Sequence, residues 1–284
     1  MRFVNIERRG YGEPGAIIGD EIIGLKGAGF SDMLSIIAGG ADALDRANRW
    51  TVRPPSGERF DAGTTRLLAP ILRPPKIICI GLNYLDHAKE SNLQVPETPT
   101  VFSKYPTAII GPGQPIILPR ISQQPDYEAE FAVVIGKGGR HIPESDWRKH
   151  VFGYTIVNDV SARDIQMATS QWMMGKTFDT FCPMGPAIVT ADEIEDPHNL
   201  AISLSIGGET LQSSNTSNLI FNLPKIIAFL SSVFTLEPGD LIATGTPAGV
   251  GFARKPPRFL REGDEVRVRV EGIGELVNPV IHEK

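Results

Sequence analysis

The sequence predicts a mostly β protein of the α+β class, with a small α+β domain over residues 1–72 and a larger β-rich domain over residues 73–284. Three observations carry that expectation. The 29 glycines and 23 prolines fall at many short intervals, as turns between short strands do, rather than as a helix bundle would place them. From Lys76 onward, short apolar runs rich in Ile and Val recur between those breaks. A Pro-rich stretch ending in Pro74-Pro75 separates this region from a segment that mixes a hairpin pattern with helical patterns.

Taken in order, GAIIGDEIIGL reads as a β-hairpin with Gly19-Asp20 near the turn. The stretch after Ser31 reads as helical, with Ser31 as a cap and Gly39-Gly40 as a break. Strands are predicted at residues 77–80, 116–118, 128–135, 151–158, 187–190, 201–206, 240–244 and 264–270. Two helices are predicted among them. One runs from Ser161 to Trp172, with S-A-R-D as a capping box; the other is LPKIIAFLSSVF. Trp172, Met173 and Met174 read as core.

Composition narrows the function. A net charge of −5 argues against nucleic acid or an anionic membrane as the main partner. Cys79 and Cys182 lie in unrelated segments with no zinc spacing, which fits reduced core thiols in a cytoplasmic setting. The N-terminus shows no long apolar signal region, and no apolar run approaches the ~20 residues needed to span a bilayer.

The chemistry-bearing signal is a set of carboxylates. Asp126, Glu128 and Glu130 alternate with Tyr127, Ala129 and Phe131, so in a strand the three acids share one face. With neighbours about 7 Å apart and an effective dielectric of ~20, each like-charged pair costs roughly 2 kcal/mol. The apolar run AVVI follows at once, so the strand is expected to enter the protein. A divalent cation would relieve the repulsion, and all-oxygen ligands suit magnesium, manganese or calcium. The same spacing also suits a solvated acidic edge. Asp159 ends a further apolar strand, where it serves equally well as a ligand or as part of a helix cap.

Other residues have two readings each. Arg163 and Gln166 stand three apart on one helical face and could grip a carboxylate and a carbonyl oxygen; alone, Arg163 suits a surface ion pair. His87 and Glu90 have the spacing of a base and its orienting carboxylate, which is also the spacing of a surface pair. Lys176 lies among Phe178, Phe181 and Met184 and is costly to bury without an anionic partner. Thr244 and Thr246 sit in the Gly-rich turn ATGTPAGVG, which could receive an oxyanion or be a plain tight turn.

Six segments in consistent order, PPKIICIGLNYLDHAKE, DYEAEFAVVIGKGGR, GYTIVNDVSARDIQ, GKTFDTFCPMGP, LIATGTPAGVG and REGDEVRVRVEGIGELVNPV, resemble the fumarylacetoacetate hydrolase superfamily. The resemblance is nearest to the branch of domain-containing protein 2 and bacterial acylpyruvase-like members. It implies a mixed β-sheet roll for the large domain and a homodimer. It implies Mg²⁺ or Mn²⁺, with Ca²⁺ also compatible, held by Glu128, Glu130 and Asp159, with Asp126 behind them. CIGLNY lacks the fourth acid of the family's founding hydrolase, so three protein ligands are expected. By the same resemblance His87, Glu90 and Lys176 are catalytic, and Arg163, Gln166 and Thr246 contact substrate.

The implied substrate is a small 2-oxo acid. The first expectation is hydrolysis of the C–C bond of an acylpyruvate-like 1,3-dicarbonyl acid. The alternatives are an oxaloacetate keto–enol tautomerase or decarboxylase, and a catalytically silent metal-binding dimer. The polar segment 82–96 is expected to act as a lid that a bound 2-oxo acid orders.

Overall fold

A computed structural model of the chain describes residues 1–90 and 94–284. Its main feature is a twelve-stranded mixed sheet. Across it run Arg59–Asp61, Glu21–Gly24, Tyr11–Ile18, Arg2–Arg8, Cys182–Thr190, Val151–Asn158, Ala129–Ile135, Leu241–Ala243, Ile77–Gly81 and Thr100–Lys104. Two short strands, Leu67–Leu68 and Ile109–Ile110, pair beside this path. Most neighbours are antiparallel, but Leu241–Ala243 runs parallel to Ile77–Gly81.

Ala129–Ile135 and Val151–Asn158 are buried at every residue because both faces of the sheet are covered. Phe131, Val133 and Ile135 face a core completed by a five-stranded sheet and the helix Leu223–Val233. Ala132 and Val134 face a second core that includes Phe30, Met33, Ile36 and Ile37 from the N-terminal segment. By alternation, Glu128 and Glu130 continue the face of Ala132 and Val134, where the apolar contacts end.

The N-terminal hairpin forms as expected, with Ile18 opposite Glu21 and Gly19 at φ 60. Its strand Arg2–Arg8 pairs with Cys182–Thr190, so residues from both predicted domains share one sheet. The helix after it is capped by Asp32, not Ser31: Ser35 N–H donates to Asp32 Oδ1 at 2.8 Å. Gly40, at φ 54, makes the expected break.

The helix expected over 161–172 is not formed. Ser161–Ala162 pairs as a strand with Pro125–Asp126, and Arg163 N–H donates to Gln124 O at 3.0 Å. Those backbone groups are taken by the sheet, and only Arg163–Gln166 is helical. A second short helix, Met173–Lys176, lies so close that a Cβ on Gly175 would meet Gln166 N at 2.4 Å. Met174 is 63% exposed rather than core. The predictions also omitted the strands Thr100–Lys104, Glu209–Asn215 and Gly274–His282.

Candidate active site

The carboxylate cluster forms where four strands of the sheet end together. Glu128, Glu130 and Asp159 are buried, and each offers an oxygen within 4.8 Å of the others. Register brings them together: Ala129 lies opposite Asn158, and Asn158 Oδ1 accepts the Glu128 N–H at 3.0 Å. Asp159 N–H donates to Glu128 O at 2.9 Å. Gly245 N–H donates to Glu130 Oε2 at 2.9 Å.

Asp126 does not share this face. The strand is interrupted after Pro125–Asp126, and the Asp126 carboxylate turns to accept N–H bonds from Gly251 at 2.7 Å and Phe252 at 3.0 Å. It also accepts from Arg163 Nε at 2.8 Å. It thus stands behind Arg163, whose Nη1 lies 2.7 Å from Glu128 Oε1.

Three buried cations meet these four acids. Lys176 Nζ donates to Glu128 Oε2 and Asp159 Oδ2, both at 2.9 Å, and lies 5.0 Å from the Phe102 ring centre. Lys104 Nζ donates to Asp159 Oδ1 and, at 3.0 Å, to Val160 O. Lys104 escaped the sequence reading; the alternation in TVFSK was its only signal, and its partner lies 55 residues away.

Four acids against three cations leave one charge uncompensated, and it falls on Glu130, which has no ion pair among the described residues. Burial pushes the Glu130 carboxyl well above its ordinary range, and the nearby Asp159 and Glu128 push it further. Burial also raises Glu128, but Lys176 and Arg163 outweigh it and hold that carboxyl well below the ordinary range. Lys176 is raised: burial disfavours its charge, and Asp159 and Glu128 more than restore it.

A hard divalent cation fits this donor set. The three clustered carboxylates supply only oxygen, each carboxylate oxygen can accept more than one partner, and the least compensated member has no cation of its own.

The cluster opens into a cavity of about 490 Å³. Of the residues named from the sequence, Glu128, Glu130, Lys176, Arg163, Gln166, Thr246, His87 and Glu90 are on its wall, whereas Asp159, bonded to Lys104 and Lys176, and the buried Asp126 and Thr244 are not. Arg163 Nη1 donates to Gln166 Oε1 at 2.9 Å, while its buried Nη2 has no partner among the described residues. The outer wall is apolar, with Phe102, Trp172, Val250 and Phe252. A Cβ on Gly81 would meet the Trp172 ring at 2.5 Å, so only glycine lets that ring close the wall.

His87 and Glu90 lie on the helix Leu85–Glu90. His87 Nδ1 is 3.7 Å from Glu90 Oε2, which leaves Nε2 as the other ring nitrogen. Glu90 also accepts the Gly249 N–H at 3.1 and 3.0 Å. Burial raises the Glu90 carboxyl, but His87 and the Gly249 amide outweigh it and hold it below its ordinary value. At the helix start, Ser214 Oγ donates to Asp86 Oδ2 at 2.5 Å. Of the expected lid, residues 91–93 lie outside the described residues.

With this geometry in hand, comparison with known proteins identifies the class. Residues 76–281 match the Fumarylacetoacetate (FAA) hydrolase C-terminal family, and the chain belongs to that metal-dependent enzyme family. It is 54% identical over 215 residues to "Oxaloacetate tautomerase Fahd2a, mitochondrial" of Rattus norvegicus, covering 75% of this chain and 69% of that protein. Among solved structures it resembles a fumarylacetoacetate hydrolase from psychrophilic Exiguobacterium antarcticum, at 39% identity and TM-score 0.87 over 100% of both chains. It also resembles maleylpyruvate hydrolase from Sphingobium sp. SYK-6 in complex with manganese (II) ion and pyruvate, at 31% identity and TM-score 0.85 over 100% of both chains. No helix among the described residues is long and apolar enough to cross a membrane.

Proposed function

We propose that this protein is a divalent-metal-dependent keto–enol tautomerase of oxaloacetate. The observation that carries the reading is that the buried carboxylate cluster and the His87–Glu90 pair face one cavity. The identity to the rat tautomerase then favours isomerisation over the hydrolysis expected first.

Glu128, Glu130 and Asp159 would hold the ion. When bound, a divalent cation withdraws charge from the 2-oxo group and so acidifies the neighbouring C3–H. Arg163, through its unspent Nη2, binds the substrate carboxylate together with Gln166 and Thr246. His87 exchanges the proton at C3, and Glu90 fixes its ring by facing Nδ1. Lys176 keeps a cation beside the oxygen that gains charge. The apolar outer wall excludes water, which suits a reaction that moves a proton and breaks no carbon–carbon bond.

The second reading is hydrolysis of an acylpyruvate. The size of the cavity favours it, because about 490 Å³ leaves room for an acyl group beyond a four-carbon acid. The deciding assay follows the enol absorbance of oxaloacetate with Mg²⁺ and after chelation, alongside pyruvate release from acylpyruvates. Metal-dependent decay of the enol with no pyruvate release is expected. Pyruvate release from acylpyruvates without any effect on the oxaloacetate enol would overturn the tautomerase assignment.

A homodimer is part of the proposal. Thr100–Lys104 ends the large sheet as an edge strand, and Val101 within it and Tyr105 just after it are exposed, which suits burial against a second copy. The two free, buried cysteines suit a reducing compartment, the cytoplasm among them.

A further inference from the structure

We infer that Gln212 is a positioning residue: it makes the Thr246 hydroxyl a hydrogen-bond donor to the carboxylate of the bound 2-oxo acid. The inference rests on the proposed reading that such an acid occupies the cavity.

Gln212 lies on Glu209–Asn215, a strand of the five-stranded sheet, yet its side chain reaches the active site and is 1% exposed. Its amide orientation is fixed by two backbone groups that can each play only one role. The Ala129 N–H must donate, and it meets Gln212 Oε1 at 2.9 Å. The Pro247 carbonyl must accept, and it meets Gln212 Nε2 at 2.9 Å. A flipped amide would set N–H against N–H and O against O. The remaining Nε2 proton therefore points at Thr246 Oγ1, 2.8 Å away.

This settles the direction of the threonine hydroxyl. A hydroxyl has one proton and two lone pairs. Thr246 Oγ1 accepts from Gln212, and among the described residues its own proton has no acceptor. Thr246 lines the cavity beside Arg163 and Gln166. An ionised carboxylate only accepts hydrogen bonds, so a hydroxyl held as a donor favours it, while one free to turn spends part of its time with a lone pair facing the anion. Ala129 separates Glu128 from Glu130, so the same side chain also ties the carboxylate strand to the Thr246 loop.

The test is a double-mutant cycle on the full chain loaded with Mg²⁺, reading oxalate binding by calorimetry. Thr246→Val removes the hydroxyl at constant shape and should weaken oxalate about 10- to 100-fold, the range for one hydrogen bond to a charged group. Thr246→Ser should restore most of it. Gln212→Glu replaces the Nε2 donor by an acceptor and should turn the hydroxyl toward position 212, weakening oxalate about 10-fold or more in the Thr246 background. In the Thr246→Val background the same change should cost several-fold less, because the group it acts through is gone and only the repulsion of the added charge remains. In turnover, Gln212→Glu should raise KM more than it lowers kcat.

Gln212→Met serves if the carboxylate does not fold; its loss should likewise vanish in Thr246→Val. Equal losses in both Thr246 backgrounds would reduce Gln212 to a structural strut and overturn the inference, as would wild-type oxalate affinity in Gln212→Glu. If the wild type binds oxalate but does not interconvert oxaloacetate tautomers, the tautomerase reading fails while the cycle still reports on the hydroxyl.

Discussion

The carboxylate cluster and the His87–Glu90 pair face the same cavity from unlike supports. Glu128, Glu130 and Asp159 stand at the ends of interior strands, each backbone held by neighbours and each residue 5% exposed or less. The dyad stands on a six-residue helix, too short to be stable alone. That helix depends on tethers: Asp86 to Ser214, Glu90 to Gly249, and the turn before it through Asn83, whose Nδ2 donates to Thr244 O at 2.8 Å. The difference suits the two tasks proposed for them, ion holding and proton transfer. Like charges held together need a scaffold that cannot relax away, whereas a proton-transfer group tolerates, and can use, an element of low local stability.

The comparison is most sharply tested at the cluster. Glu130→Ala should abolish metal-dependent activity and weaken Mn²⁺ binding, while the protein stays folded, because the change removes the least compensated charge of the group. Full activity with Mn²⁺ uptake intact would break the assignment of Glu130 as a ligand. Next in size, His87→Ala should slow proton transfer about 10²- to 10⁴-fold, the usual contribution of a general base. Metal binding should be unchanged, and a parallel loss of Mn²⁺ would mean that the two regions are not independent.

A smaller effect follows from the raised Glu130 carboxyl. In the metal-free protein this group is protonated above the ordinary carboxylate range, and an ion must displace that proton. Calorimetry in buffers of different ionisation enthalpy should record up to about one proton released per Mg²⁺, with affinity rising with pH below the raised value. The same sign governs folding. Because the folded value is raised, the contribution is fully present below the unfolded carboxylate range and is lost as pH rises through the folded one. Metal-free stability should therefore fall over that window, and a flat profile in both measurements would place Glu130 in an ordinary environment. The smallest effect is at the helix tether. Ser214→Ala removes the hydrogen bond to Asp86, about 1 kcal/mol, along with the one that Ser214 Oγ accepts from Asn218 Nδ2, and should speed hydrogen exchange in Leu85–Glu90 roughly 5-fold without touching metal affinity. No change in exchange would show that Gly249 and Asn83 suffice to dock the helix.

Much of this was legible in the chain itself, for reasons of local physics. Strand 129–135 reads directly because a strand buried on both faces must be continuously apolar. The Gly19-Asp20 hairpin reads from turn chemistry, and LPKIIAFLSSVF reads as a helix, which forms as Leu223–Val233. The carboxylates stood out because unpaired acids beside such a run demand an explanation, and their assembly with His87, Lys176, Arg163 and Thr246 followed from family resemblance.

What only the tertiary structure decided are pairings between distant segments. Whether Ser161–Ala162 becomes helix or strand depends on Pro125–Asp126, which no local window contains. Asp126, in phase with Glu128 and Glu130 by sequence, leaves their face because Gly251, Phe252 and Arg163 bind it elsewhere. Lys104 and Gln212 sit in strands without a distinctive pattern, and their side-chain partners all lie 34 or more residues away. Propensity and alternation act over a few residues, so they specify elements; charge compensation and hydrogen-bond direction act across the fold, so they appear only once the strands are in register.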